Sequence, residues 1–131
     1  PTIDGDLLKS ILLKGQKSYQ QRFVVKFGAR IQFKKSDEIA YFYAEDKICY
    51  LMSAPGAKRY VIDHTLEELD GQLLDPARFF RINRQYIICV DSIKEVKAND
   101  NRLEVLLAAP CEDRLIVSRG RTSDFKSWLN N

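Results

Sequence analysis

From Arg22 onward, apolar residues come in short bursts broken by charge, glycine or proline: RFVVKF, RIQFK, EIAYFYA, ICYLMS, RYVID, FFRI, YIICV, SIKEV, RLEVLLA and RLIVS. Within most bursts the apolar positions fall every second residue, which places them on one side of an extended strand. Aromatic and β-branched residues dominate, as a half-buried pleated surface favours. This pattern predicts a mainly β fold, an elongated sheet or sandwich of about ten short strands.

Three stretches break the pattern with helical spacing. Leu7, Leu8, Ile11 and Leu12 repeat at that spacing and stop at Gly15. They predict a short linker helix within residues 1–21, leading from a missing upstream domain into a β domain over 22–131. Thr65-Leu66-Glu67-Glu68 has the form of a capping box ahead of Leu69, Leu73 and Leu74, predicting a helix that ends before Pro76. Ser118 is placed to cap a final helix whose apolar side is Phe125, Trp128 and Leu129. Its first turn carries Arg119 and Arg121, whose charges oppose the helix dipole and suit a terminus that faces an anion.

One burst poses a problem. In FFRINRQYIICVDSIKEV, Phe79–Val96, a single uninterrupted strand would put Phe80, Ile82, Arg84, Tyr86, Ile88 and Val90 on one face and so bury Arg84. An unpaired buried guanidinium costs several kcal/mol, on the order of a buried-ion desolvation penalty. The sequence therefore predicts that the strand breaks at Asn83–Gln85, leaving three hydrogen-bonding side chains projecting from a rigid frame.

With 131 residues and 45% hydrophobic content, the chain is the size of one domain and can bury a core. Its only methionine is Met52 and it opens PTIDGD, so it reads as a piece of a longer protein. No apolar run approaches the roughly 18 residues a membrane span needs. Cys49, Cys89 and Cys111 lie far apart with no CxxC spacing. Such an odd set implies a reducing, cytoplasmic setting and inert buried thiols.

Candidate chemistry is sparse. The only histidine, His64, stands just before a helix cap, with no arrangement that pairs it with a nucleophile. The acidic pairs Asp37-Glu38, Glu45-Asp46, Glu67-Glu68 and Glu112-Asp113 sit at expected turns or a helix start, where solvated carboxylates are ordinary. No phosphate-loop glycine pattern and no metal-ligand cluster occurs. The expectation is a non-enzymatic domain without metal or other cofactor.

Charge points elsewhere. The net charge is only +3, but its distribution is uneven: residues 1–77 carry eleven basic and eleven acidic side chains, and 78–131 carry ten and seven. The surplus gathers at Arg78, Arg81, Arg84, Arg114, Arg119, Arg121 and Lys126. Such a surface fits either an ordinary solvated face or a nucleic-acid partner.

A resemblance separates these. The run Phe80-Arg81-Ile82-Asn83-Arg84-Gln85-Tyr86, the upstream EIAYFYAEDKICYL, Tyr60 with Leu66, Leu69 and Leu73, and VSRGR before the last helix together resemble the LytTR family of bacterial DNA-binding output domains. The likeness runs from about Arg22 to the C-terminus. Asn83 stands where the family commonly has histidine, and Cys89 where it commonly has asparagine. The resemblance implies a fold whose loops enter successive major grooves of double-stranded DNA, at the output end of a response regulator with an upstream receiver domain. The implied reading loops are Asn83-Arg84-Gln85, the turn Glu45–Lys47 with Lys47 as its donor, and Ser118–Arg121 with Ser118, Arg119 and Arg121. Arginine suits guanine, asparagine and glutamine suit adenine. Arg81 is expected to support the fold. The rival reading is a β-rich protein-interaction or small-ligand module without DNA affinity.

Overall fold

The computed structural model describes residues 19–54, 56–111 and 113–130. The helix expected around Leu7–Leu12 lies outside them. All ten bursts form strands: β1 (Arg22–Phe27), β2 (Arg30–Lys35), β3 (Ile39–Glu45), β4 (Ile48–Ser53), β5 (Arg59–Ile62), β6 (Phe79–Arg81), β7 (Tyr86–Cys89), β8 (Ile93–Asn99), β9 (Arg102–Leu107) and β10 (Leu115–Ile116). Seven make one antiparallel sheet in the order β2-β1-β5-β4-β3-β7-β6; the other three make a second, β10-β9-β8.

The large sheet is buried on both sides at its β3–β7 end. Alternation sends Phe42 and Ile87 to one face and Tyr41, Tyr86 and Ile88 to the other. The first face packs with Phe23, Val25, Leu51, Leu66, Leu69 and Leu74. The second packs with Leu103, Val105, Leu115, Val117, Phe125 and Trp128 from the small sheet and the final helix. This explains why IAYFYA reads as a continuous apolar run: each parity has a core to enter. Burial of such side chains contributes roughly 1.5–3 kcal/mol each.

The helices differ from the expectation in detail. Thr65 Oγ1 accepts from Glu68 N at 3.1 Å, as the cap pattern requires, but the α-helix α1 covers only Leu66–Glu68. Gly71 follows at φ +78°, a left-handed conformation that turns the chain so that Leu69 and Leu74 both reach the first core. Helix α2 spans Thr122–Leu129, preceded by one tight turn at Arg119–Arg121. Phe125 and Trp128 face inward, Phe80 packs on both rings, and Trp128 Nε1 donates to Pro76 O at 2.8 Å. The Ser118 hydroxyl makes no cap bond; the Ser118 carbonyl instead accepts from Arg121 N at 2.8 Å and Thr122 Oγ1 at 3.3 Å.

Candidate nucleic-acid interface

The strand does break where Arg84 would have been buried. β6 and β7 are a hairpin, with Phe80 opposite Ile88 and Arg81 opposite Ile87, and residues 82–85 form its tip. Ile82 stays fully buried, while Arg84 and Gln85 are exposed.

Asn83 organises this tip. Its Oδ1 accepts from Gln85 N at 2.8 Å and Tyr86 N at 3.0 Å, and its Nδ2 donates to Ile116 O at 3.0 Å. A short amide that satisfies the backbone two and three residues on is a common way to fix a tight turn. Arg81 clamps the same tip from below. Its Nε donates to Asn83 O at 3.2 Å, and its Nη2 to Arg84 O at 2.9 Å and Glu67 Oε1 at 3.1 Å. With only 12% of its side chain exposed, Arg81 is a brace, as expected. Glu67, the acceptor on α1, was not foreseen: no local pattern links residues fourteen apart on different elements.

The other two loops adjoin this one through backbone bonds. Ala44 N, at the end of β3, donates to Gln85 O at 2.9 Å. On the opposite flank Ser118 N donates to Ile82 O at 2.8 Å, and Arg121 Nη1 to Arg81 O at 3.2 Å. The β3–β4 turn, the 82–85 tip and the 116–121 segment are therefore consecutive.

The β3–β4 turn is tight: Glu45 pairs with Ile48, and the two residues between, Asp46 and Lys47, have φ of +52° and +66°. These are type I′ values, which match the twist of a hairpin and normally call for Asn-Gly. The turn holds Lys47 outward at the end of a rigid ladder.

The side chains sort accordingly. Among the described residues, those of Lys47, Arg84, Gln85, Ser118 and Arg119 make no hydrogen bond or ion pair, and all five are exposed. Asn83 is committed to the backbone, and Arg121 is bound by one nitrogen. The basic cluster of the sequence separates in the same way. Arg78 meets Asp91, Arg81 meets Glu67 and Arg114 meets Glu104, whereas Arg84 and Arg119 have no carboxylate partner among the described residues.

Residues 29–130 match the LytTr DNA-binding domain family. The chain belongs to that family. Among solved structures it is similar to one described as "LytTr DNA-binding domain of putative methyl-accepting/DNA response regulator from Bacillus cereus", with a TM-score of 0.75 at 20% identity, covering 86% of this chain and 99% of that one. At that identity the likeness concerns the fold. No curated protein matches. LytTr domains are DNA-binding modules, and the three adjoining loops lie on the portion of this chain that the family covers.

Other candidate chemistry of this LytTr domain is already engaged. A cavity of about 480 Å³ is lined by Tyr41, Tyr43, Met52, Tyr86, Cys111 and others. Two of its phenols are tied: Tyr41 Oη donates to Pro110 O at 2.8 Å, and Tyr86 Oη to Asp113 at 2.6 Å. Burial pushes both phenols above their ordinary range. Cys49 and Cys89 are buried in the first core, where burial raises both thiols, Cys49 to about 12. His64 contacts Glu68 through Nδ1 at 3.2 Å. Among the described residues no cluster of His, Cys, Asp and Glu could hold a metal, and no helix is long and apolar enough to cross a membrane.

Proposed function

We propose that this domain binds double-stranded DNA sequence-specifically, through the major groove, as the output module of a cytoplasmic two-component response regulator. Residues 22–131 form the DNA-binding unit, and residues 1–21 connect it to an upstream receiver domain. The observation that carries the reading is the sorting of side chains on three adjoining loops. Among the described residues Lys47, Arg84, Gln85, Ser118 and Arg119 are unpartnered, while Arg81, Asn83 and Arg121 hold the hairpin tip that carries Arg84 and Gln85.

In this reading Arg84 and Arg119 contact base edges; two guanidinium nitrogens match guanine O6 and N7. Gln85 reads an adjacent base. Lys47 and Arg121 hold phosphates and set register, and the Ser118 hydroxyl adds a neutral contact. In this reading Asn83, expected to contact DNA, serves binding by shaping the loop through its three backbone bonds.

The test is footprinting of the longer parent protein on its own promoter region, followed by affinity measurements on the protected site with Arg84→Ala and Arg119→Ala. Protection of a discrete site that both variants lose supports the reading. Uniform or absent protection removes it.

A further inference from the structure

DNA reading leaves one feature of the molecule unused. A single register row crosses six strands of the large sheet on one face: Ile31 beside Lys26, then Val61, Tyr50, Tyr43 and Tyr86. The small sheet and α2 cover the Tyr86 end, which is 5% exposed. At the opposite end nothing in the described chain lies over the face, and Ile31 is 69% exposed. Phe33 and Val24, cross-strand partners beside it, are 64% and 49% exposed. Scattered apolar residues on a surface are ordinary; a contiguous set on one face of an edge hairpin marks an interaction site.

The polar residues of the same face identify what would cover it. Alternation places Arg22, Val24 and Lys26 of β1 beside Lys35, Phe33 and Ile31 of β2, three cations around three apolar side chains. Arg22 lies over the Phe33 ring at 5.8 Å. The stretch 19–35 contains five cations and no carboxylate. A second copy of this hairpin would bring like charges together, which disfavours self-association. Strand addition is opposed too, because Arg30, Lys34 and Lys35 lie along the edge strand, and charges there guard against pairing. The occupant that fits carries acid at its rim and apolar side chains at its centre. Two strands about 4.8 Å apart offer an apolar strip suited to the ridge of one helix.

We propose that the outer face of the β1–β2 hairpin docks an acidic amphipathic helix of a partner polypeptide, with its apolar ridge on Val24, Ile31 and Phe33 and its carboxylates near Arg22, Lys26 and Lys35. Lys26 already meets Asp63 at 2.9 Å, both exposed, so an incoming carboxylate competes for it. On the register row the strands of Lys26 and Val61 lie between Ile31 and Tyr50, and β1 precedes the 29–130 stretch that matches the family.

The experiment titrates the isotopically labelled chain with a synthetic helical peptide of leucine and glutamate at amphipathic spacing. Its leucine-lysine counterpart, phosphatidylglycerol vesicles and random duplex DNA are run alongside. The expected result is amide shifts concentrated on β1 and β2 with the acidic peptide. Binding should weaken about tenfold or more in Ile31→Ser/Phe33→Ser and again in Lys35→Glu, and should be unchanged in Leu129→Ser, an exposed apolar residue elsewhere. Lys35→Glu leaves the apolar residues in place and decides the matter should the double variant lose its fold. The proposal is overturned if the acidic peptide leaves the hairpin unshifted, if the lysine peptide binds as well, or if only vesicles or DNA shift these residues.

Discussion

The guanidinium of Arg81 donates to the carbonyl of Arg84 at 2.9 Å, so of two arginines three residues apart, one builds the loop on which the other rides. The first is 88% covered by its surroundings and paired with Glu67; the second is exposed and free of partners among the described residues. Replacing each by alanine should therefore give different defects. Arg81→Ala strips three donor contacts from the loop and from Glu67, and should lower stability by about 1–3 kcal/mol in denaturant unfolding. Arg84→Ala should leave the unfolding midpoint unchanged. Equal midpoints for both variants would mean that the brace does not operate.

Asn83 should behave like Arg81. Its amide satisfies two backbone N–H groups and one carbonyl, so Asn83→Ala should destabilise the fold by about 1–3 kcal/mol. Hydrogen exchange should quicken at the amides of Gln85 and Tyr86 before it does in the core strands. An Asn83→Ala variant that is fully stable yet defective in binding would instead make Asn83 a reader.

At the β3–β4 turn, stability and binding should move in opposite directions. Lys47 sits at φ +66° without the freedom of glycine. Lys47→Gly should relieve strain of roughly 1 kcal/mol and raise the melting temperature, while removing the turn's cation and weakening DNA binding at low salt. A glycine variant that melts lower than the parent contradicts the strain.

The thiols should differ in reactivity. Burial holds Cys49 neutral up to about pH 12, above the ordinary value of 9.0, and Cys89 is 1% exposed. Cys111 is half-buried and should react first with a thiol reagent in the folded protein. Because the folded pKa of Cys49 is raised, its contribution to stability is complete below about pH 9 and declines between about 9 and about 12. Mass-spectrometric mapping after a short exposure near neutral pH checks the order, and early labelling of Cys49 would contradict it.

The strands were legible because their alternation is a local property, and each of the ten bursts became a strand. The break at 83–85 was legible for a different reason, the energetic cost of burying Arg84. Layering was hidden. Nothing local tells Tyr41 from Phe42, yet they enter different cores. The shape of the 65–74 segment was also hidden, since a leucine repeat does not reveal that Gly71 turns the chain. At the candidate site, residue types picked out three segments that the fold brings side by side, but did not separate free side chains from scaffolding. Asn83 and Gln85 both carry amides, and only the bonds to Ile116, Gln85 and Tyr86 show that the first is occupied.

In the proposed function Arg84 and Arg119 read bases while the surrounding cations only attract. This reading is tested by affinities for the specific site and for random duplex at one salt concentration, measured for Arg84→Ala, Arg119→Ala and, as charge-matched control, Lys94→Ala on the exposed part of β8. The expected result is a loss of about 1–3 kcal/mol on the specific site for each arginine variant, a much smaller loss on random duplex, and little change on either for Lys94→Ala. Equal losses on both duplexes, matching those of Lys94→Ala, would contradict it.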